Sequence, residues 1–187
     1  MENAKMMDLF EYRNSVKMYP AGKVRELVWN NNAMMYAEAA SKNEYYSEKG
    51  ADEIIRDLVQ GKLQSVVLLL YGAQKAADPT IKWESYQIDF NFDCLKDYAA
   101  AVKDGMEHYL PEAKEEIESG AEAEETAGSG NNLAELYYIA KTVFGMSDKE
   151  FGRNTQRSLT ILLSEHLNKN KPDSEYKEAS DDALSWL

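Results

Sequence analysis

From Leu63 to Ala77 the chain is apolar almost all the way round a helix, with Val66, Val67, Leu68, Leu69, Leu70, Ala73, Ala76 and Ala77. A helix without a clear polar face must be covered on every side, so it belongs at the centre of a core. Asp78-Pro79 closes it, because the residue before proline is pushed out of the α region. The run Val66 to Tyr71 is far shorter than the roughly 20 apolar residues a membrane helix needs. The start, Met1-Glu2-Asn3-Ala4-Lys5, lacks the basic and apolar regions of a secretory peptide. These features predict no membrane association and a cytoplasmic location.

The segments around this helix supply its partners. Residues 11–19 and 23–29 flank Pro20-Ala21-Gly22 and are rich in Val, Tyr and Trp, which predicts a β-hairpin. A short helix is expected ahead of it over Met6–Tyr12. Asn30-Asn31-Asn32 offers N-caps for a helix over 33–40. Ile54, Ile55, Leu58 and Val59 form one apolar face of a second helix, which Gly61 interrupts. Residues 81–88 read as a short helix. Asp93 is placed to cap a longer one from Cys94 to Leu110, with Leu95, Tyr98, Ala99, Val102, Met106, Tyr109 and Leu110 on its buried side.

The acidic excess is unevenly placed. The 187 residues hold 33 acidic and 21 basic side chains, a net charge of -12. Residues 111–130 alone hold 7 acidic and 1 basic. That stretch has one large apolar residue, Ile117, and ends in Ala127-Gly128-Ser129-Gly130, so it reads as a solvated linker. The expected organisation is a 1–110 helical domain with its hairpin, a 111–130 acidic linker, and a 131–187 helical module with a tail. In the last part, Leu133, Leu136, Tyr137, Ala140 and Phe144 recur at helical spacing, and Gly145 supplies a stop. Ser147-Asp148-Lys149-Glu150 matches a capping box. Leu159, Leu162, Leu163, His166 and Leu167 share a face of a helix beginning at Thr155. The fold class is therefore mainly α: a helical bundle with a small N-terminal hairpin and a small C-terminal helical module.

Little in the chain points to catalysis, and the expectation is no enzyme, no cofactor and no metal. His108 and His166 each sit in a helical pattern with no neighbouring Cys or His. The single cysteine, Cys94, rules out an internal disulfide framework and any multi-cysteine metal site. Carboxylate pairs such as Asp52-Glu53, Glu115-Glu116 and Asp181-Asp182 lack the alternating ligands of a calcium loop. Gly72, Gly128 and Gly130 lack the spacing of a phosphate loop. The 12 tyrosines are more informative, because Tyr45-Tyr46 and Tyr137-Tyr138 place adjacent rings on different helix faces. Outward aromatics either carry partner contacts or roof the core, and both readings stay open.

Two stretches together resemble the tail assembly chaperones of long-tailed bacteriophages. The first runs from Val24 to about Leu110. It carries Val28-Trp29-Asn30-Asn31-Asn32-Ala33, the Ile54-Ile55 to Gly61 segment, the apolar helix closing on Ala77-Asp78-Pro79, and Leu110-Pro111. The second, Ala140 to Leu159, contains Gly145-Met146-Ser147-Asp148-Lys149-Glu150-Phe151 and Thr155. It is similar to the downstream reading frame that these phages commonly join by frameshifting. Gly152 and Gln156 stand where many members have Trp and Pro.

The resemblance implies a non-enzymatic role. The upstream domain would coat the tape-measure protein, and the downstream module would recruit tail-tube protein. Tyr137, Tyr138, Phe151, Leu159 and Leu163 are the expected partner-binding residues. Rings or spirals of a homo-oligomer are within the family's range, and nothing in the residues fixes closure. The competing reading is an acidic counter-defence inhibitor, such as an anti-CRISPR or nucleic-acid mimic, that blocks a basic nuclease surface. It needs carboxylates spread over a folded face, whereas half the net charge sits in the linker. Direct nucleic-acid binding is not expected of so acidic a chain.

Overall fold

The computed structural model describes residues 11–18, 23–42, 48–84, 86, 91–112 and 133–169. Most of the acidic linker, the tail beyond Lys169, the hairpin turn and Tyr45-Tyr46 lie outside them. So do residues 6–10 of the expected first helix, whose last residue, Tyr12, instead begins a strand.

As expected, the protein is mainly helical with a two-stranded N-terminal hairpin. Strands β1 (Tyr12–Met18) and β2 (Lys23–Trp29) pair antiparallel, with Tyr12 opposite Trp29 and Asn14 opposite Leu27. Seven α-helices follow among the described residues: α1 (Asn31–Ser41), α2 (Ala51–Val59), α3 (Leu63–Ala77), α4 (Leu95–Tyr109), α5 (Leu133–Thr142), α6 (Asp148–Arg153) and α7 (Gln156–Lys169).

Helix α3 is the hub. Every residue from Ser65 to Gln74 is buried, and α1, α2, α4 and β2 all contact it. Its closest neighbour is α1, which offers Ala33, Ala37 and Ala40 on its buried side. Small side chains let the two backbones approach: a Cβ at Gly72 would lie 2.2 Å from the Ala33 carbonyl oxygen. Asn30 starts α1 by accepting a hydrogen bond from the Ala33 amide at 3.1 Å.

The hairpin closes over α4. Trp29 is fully buried, and a Cβ at Gly105 would lie 2.0 Å from its indole, so that glycine makes room for the ring. The indole Nε1 donates to Asn14 Oδ1 at 2.8 Å. Asn14 in turn donates to Asp104 Oδ2 at 2.8 Å and to the Ala101 carbonyl at 3.0 Å. Tyr12 Oη donates to the same Asp104 oxygen at 2.8 Å. Burying the indole is therefore matched by a partner for its N–H.

Two sequence expectations change. Asp93 does not cap α4; it lies in a 3₁₀ turn, Phe92–Cys94, and its amide bonds to Asn91 Oδ1, while Cys94 occupies the N-cap position. The α2 stripe is also narrower than its residues suggest. Ile54 is fully buried, Ile55 and Leu58 are half-buried, and Val59 is 84% exposed. Val59 stands ~140° round the helix from Ile54, at 100° per residue, away from the side that packs on α1 and α3.

Candidate functional site

The downstream helices build their own small core, in which Leu136, Ala140, Phe151 and Leu159 are buried. Local signals shape it. Gly145 takes a φ of +63°, which ends the α5 segment where only glycine is unstrained. Ser147 then accepts from the Glu150 amide, while Glu150 accepts from the Ser147 amide, completing the capping box of α6.

This core is docked on the upstream helices by backbone and amide bonds. The Asn31 amide donates to the Asn154 carbonyl at 2.8 Å, and Asn31 Nδ2 donates to the Phe151 carbonyl at 2.9 Å. Arg157 reaches the C-terminal end of α4, donating to the Leu110 carbonyl at 3.0 Å and the Glu107 carbonyl at 2.6 Å. A guanidinium there both satisfies orphan carbonyls and complements the negative end of the helix dipole. Leu133 packs against both cores.

Where the two groups of helices meet, they leave a groove of about 640 Å³. Met35 and Glu38 of α1 and Gly50, Ala51 and Asp52 at the start of α2 form one wall. Leu133, Ala134 and Tyr137 of α5, with Asp148 and Phe151 of α6, form the other.

Tyr137 is the most constrained group on the groove surface. It is 39% exposed, yet three neighbours hold it. Its hydroxyl donates to Asp148 Oδ1 at 2.8 Å. Its ring meets Phe151 edge-on, with centroids 5.0 Å apart and planes at 84°. Lys141 Nζ lies 5.7 Å from the ring centroid and donates to the same Asp148 oxygen at 2.8 Å. The hydrogen bond from Lys141, then that from Tyr137, holds the Asp148 carboxyl below its ordinary range. The bond to Asp148 correspondingly raises both the Tyr137 hydroxyl and the Lys141 ammonium. On the opposite lip, Asp52 is pushed up, first by burial and further by Glu38, with Arg56 acting against both.

The five residues expected to bind a partner fall in different places. Tyr137 and Phe151 come together at the groove. Phe151 and Leu159 are interior, at 1% and 2% exposure, so in this structure they support the surface from beneath. Tyr138 is 67% exposed, and Leu163 is half-buried on α7. Met35, Glu38 and Asp52 were not anticipated. The adjacent Met34-Met35 pair carried a signal, since neighbours ~100° apart on a helix need cover on two different sides. Met34 is buried and Met35 faces the groove.

The residues weighed for catalysis have ordinary surroundings. His108 stacks on Tyr12 at 3.7 Å, with Nδ1 2.8 Å from the Asp104 carbonyl. His166 meets Phe144 edge-on at 5.7 Å. Among the described residues, no three His, Cys, Asp or Glu side chains converge as metal ligands. No helix among them is long and apolar enough to cross a membrane. Comparisons with protein-family models, with curated proteins and with solved structures find no match to this chain.

Proposed function

We propose that the protein is a non-enzymatic assembly chaperone of the phage-tail kind, which binds a tape-measure protein and brings tail-tube subunits to it. The supporting observation is the apolar groove walled by the braced Tyr137 ring. A side chain held before its partner arrives loses little conformational freedom on binding, and tyrosine carries large contact area with few rotatable bonds. Further apolar groups lie exposed on the downstream helices: Tyr138 and Val143 at α5 and just beyond it, and Ile161 and Leu167 on α7. Such a surface suits helix-in-groove recognition of a long amphipathic helical partner.

The direct test is co-expression of the full chain with the tape-measure protein encoded beside it. The chaperone reading expects the tape-measure protein to become soluble and to co-purify. A gene neighbourhood without tail-tube and tape-measure genes, or a partner that stays insoluble at equal expression, would sink it.

A further inference from the structure

We infer that the groove between α1–α2 and α5–α6 docks a protein segment that inserts one large apolar side chain and sets a Lys or Arg beside it. This deepens the chaperone reading, on which the protein nature of the occupant rests, by stating what the bound segment must carry.

The apolar requirement follows from the walls. Met35, Leu133, Ala134 and Tyr137 offer carbon surface around a groove of about 640 Å³, with the buried Ala51 and Phe151 backing it. The charge requirement follows from the lips. On the α5–α6 side, Asp148 is already satisfied by Lys141 and by the Tyr137 hydroxyl. On the α1–α2 side stand Glu38 and Asp52, and neither forms an ion pair within 4.0 Å among the described residues, although Lys42, Lys49 and Lys62 nearby are paired with Glu48 and Asp57. Burial and the neighbouring Glu38 both disfavour the Asp52 carboxylate, while Arg56 only partly offsets them. An incoming cation relieves that cost directly.

Charge also selects among occupants. The segment 111–130 carries 7 acidic residues, and the apolar cluster Ala183, Leu184, Trp186 and Leu187 follows directly on Asp181-Asp182. Both would bring carboxylates to a lip that already repels them. A second copy, with a net charge of -12, meets the same long-range repulsion. A separate, basic-flanked helix meets none of it.

The test titrates isotope-labelled full-length protein with three synthetic helical peptides. They share one leucine stripe and differ only in flanking residues, which are Lys, Gln or Glu. The expected result is about tenfold tighter binding of the Lys peptide than of the Glu peptide, with amide shifts centred on Met35, Ala51, Asp52, Leu133 and Ala134. The preference should fade as salt shortens electrostatic range. The isosteric variant E38Q/D52N should lower the Lys-peptide affinity about fivefold, to near that of the Gln peptide, with an unchanged melting temperature.

Equal affinity for the Lys and Glu peptides, or shifts mapping away from the groove, would overturn the inference. So would concentration-dependent broadening of the groove amides without peptide, which would identify a second copy as the occupant. The two proposals fail separately. Peptide docking with no tape-measure solubilisation sinks the chaperone reading and spares the groove, and the reverse result sinks the groove alone.

Discussion

Asn31 Nδ2 donates to the Phe151 carbonyl at 2.9 Å, joining residues 120 apart in the chain across a buried contact. The same side chain accepts from Tyr109 Oη at 3.0 Å, and its backbone amide donates to Asn154. One asparagine in the first turn of α1 therefore ties α4 to α6. Asn31 is fully buried; the Tyr109 hydroxyl depends on it for a partner, while the Phe151 carbonyl also accepts from the Asn154 amide at 3.1 Å.

Replacing Asn31→Ala should cost about 2 kcal/mol, because the Tyr109 hydroxyl is left buried and unpaired and the Phe151 carbonyl keeps only its bond from the Asn154 amide. Tyr109→Phe removes only one bond and should cost about 1 kcal/mol. Urea titration compares the two. Hydrogen exchange should show faster opening of α6 in the Asn31 variant, and unchanged exchange there would refute the docking role.

Core and surface residues of the downstream helices should separate cleanly. Phe151→Ala should lose about 3–5 kcal/mol through cavity formation, whereas Tyr138→Ala should stay within about 0.5 kcal/mol. Tyr137→Ala should leave the melting temperature nearly unchanged but weaken partner binding at least about tenfold, as expected for an aromatic anchor. Calorimetry and a binding titration on the same preparations decide it. A large stability loss in Tyr137→Ala would mean that the ring is a core residue.

Two glycines should respond differently to an added methyl. Gly105→Ala drives a Cβ into the Trp29 indole, a buried ring with a fixed hydrogen bond, and should cost about 3 kcal/mol. Gly152→Ala meets the Asn32 side chain, at 2.2 Å. That side chain is half-buried and can change rotamer, so the cost should be about 1 kcal/mol. Equal losses would show that the Asn32 side chain is held as firmly as the indole.

Asp57 should give the fold a defined acid limit. Lys49 and Lys62 both donate to it, and these bonds hold its carboxyl below the ordinary 3.8 in the folded protein. A depressed acid binds protons less readily when folded, so its stabilisation is present above the unfolded pKa and is lost as pH falls through the folded one. Asp57→Asn should therefore lower the melting temperature at neutral pH, and the gap from wild type should close below about pH 4. A gap that persists at low pH would point to packing as the source.

Much of the fold was legible because its signals are local. The all-round apolar pattern of Leu63–Ala77 required a central helix, and α3 has those bounds. Asn30, Gly145 and the Ser147–Glu150 pair act within one turn of the chain, so their chemistry could be read directly. The groove was half legible. Tyr137 and Phe151 stood out as aromatics, but Met35, Glu38 and Asp52 lie about a hundred residues earlier, and no local pattern links them to α5.

By itself, the amino-acid order determined which stretches of the core form helices, and which residues were apolar enough to need cover. Only the tertiary structure decided which of them received it. Phe151 and Leu159 went inside because α6 is fastened to Asn31, and Val59 stayed outside, among the described residues, on the rim of an open cleft between α2 and α4. Tyr137 became a groove wall because Asp148, Lys141 and Phe151 meet it from the next helix and from its own. Periodicity shows that a residue can face inward, but whether anything is there to meet it depends on contacts between distant parts of the chain.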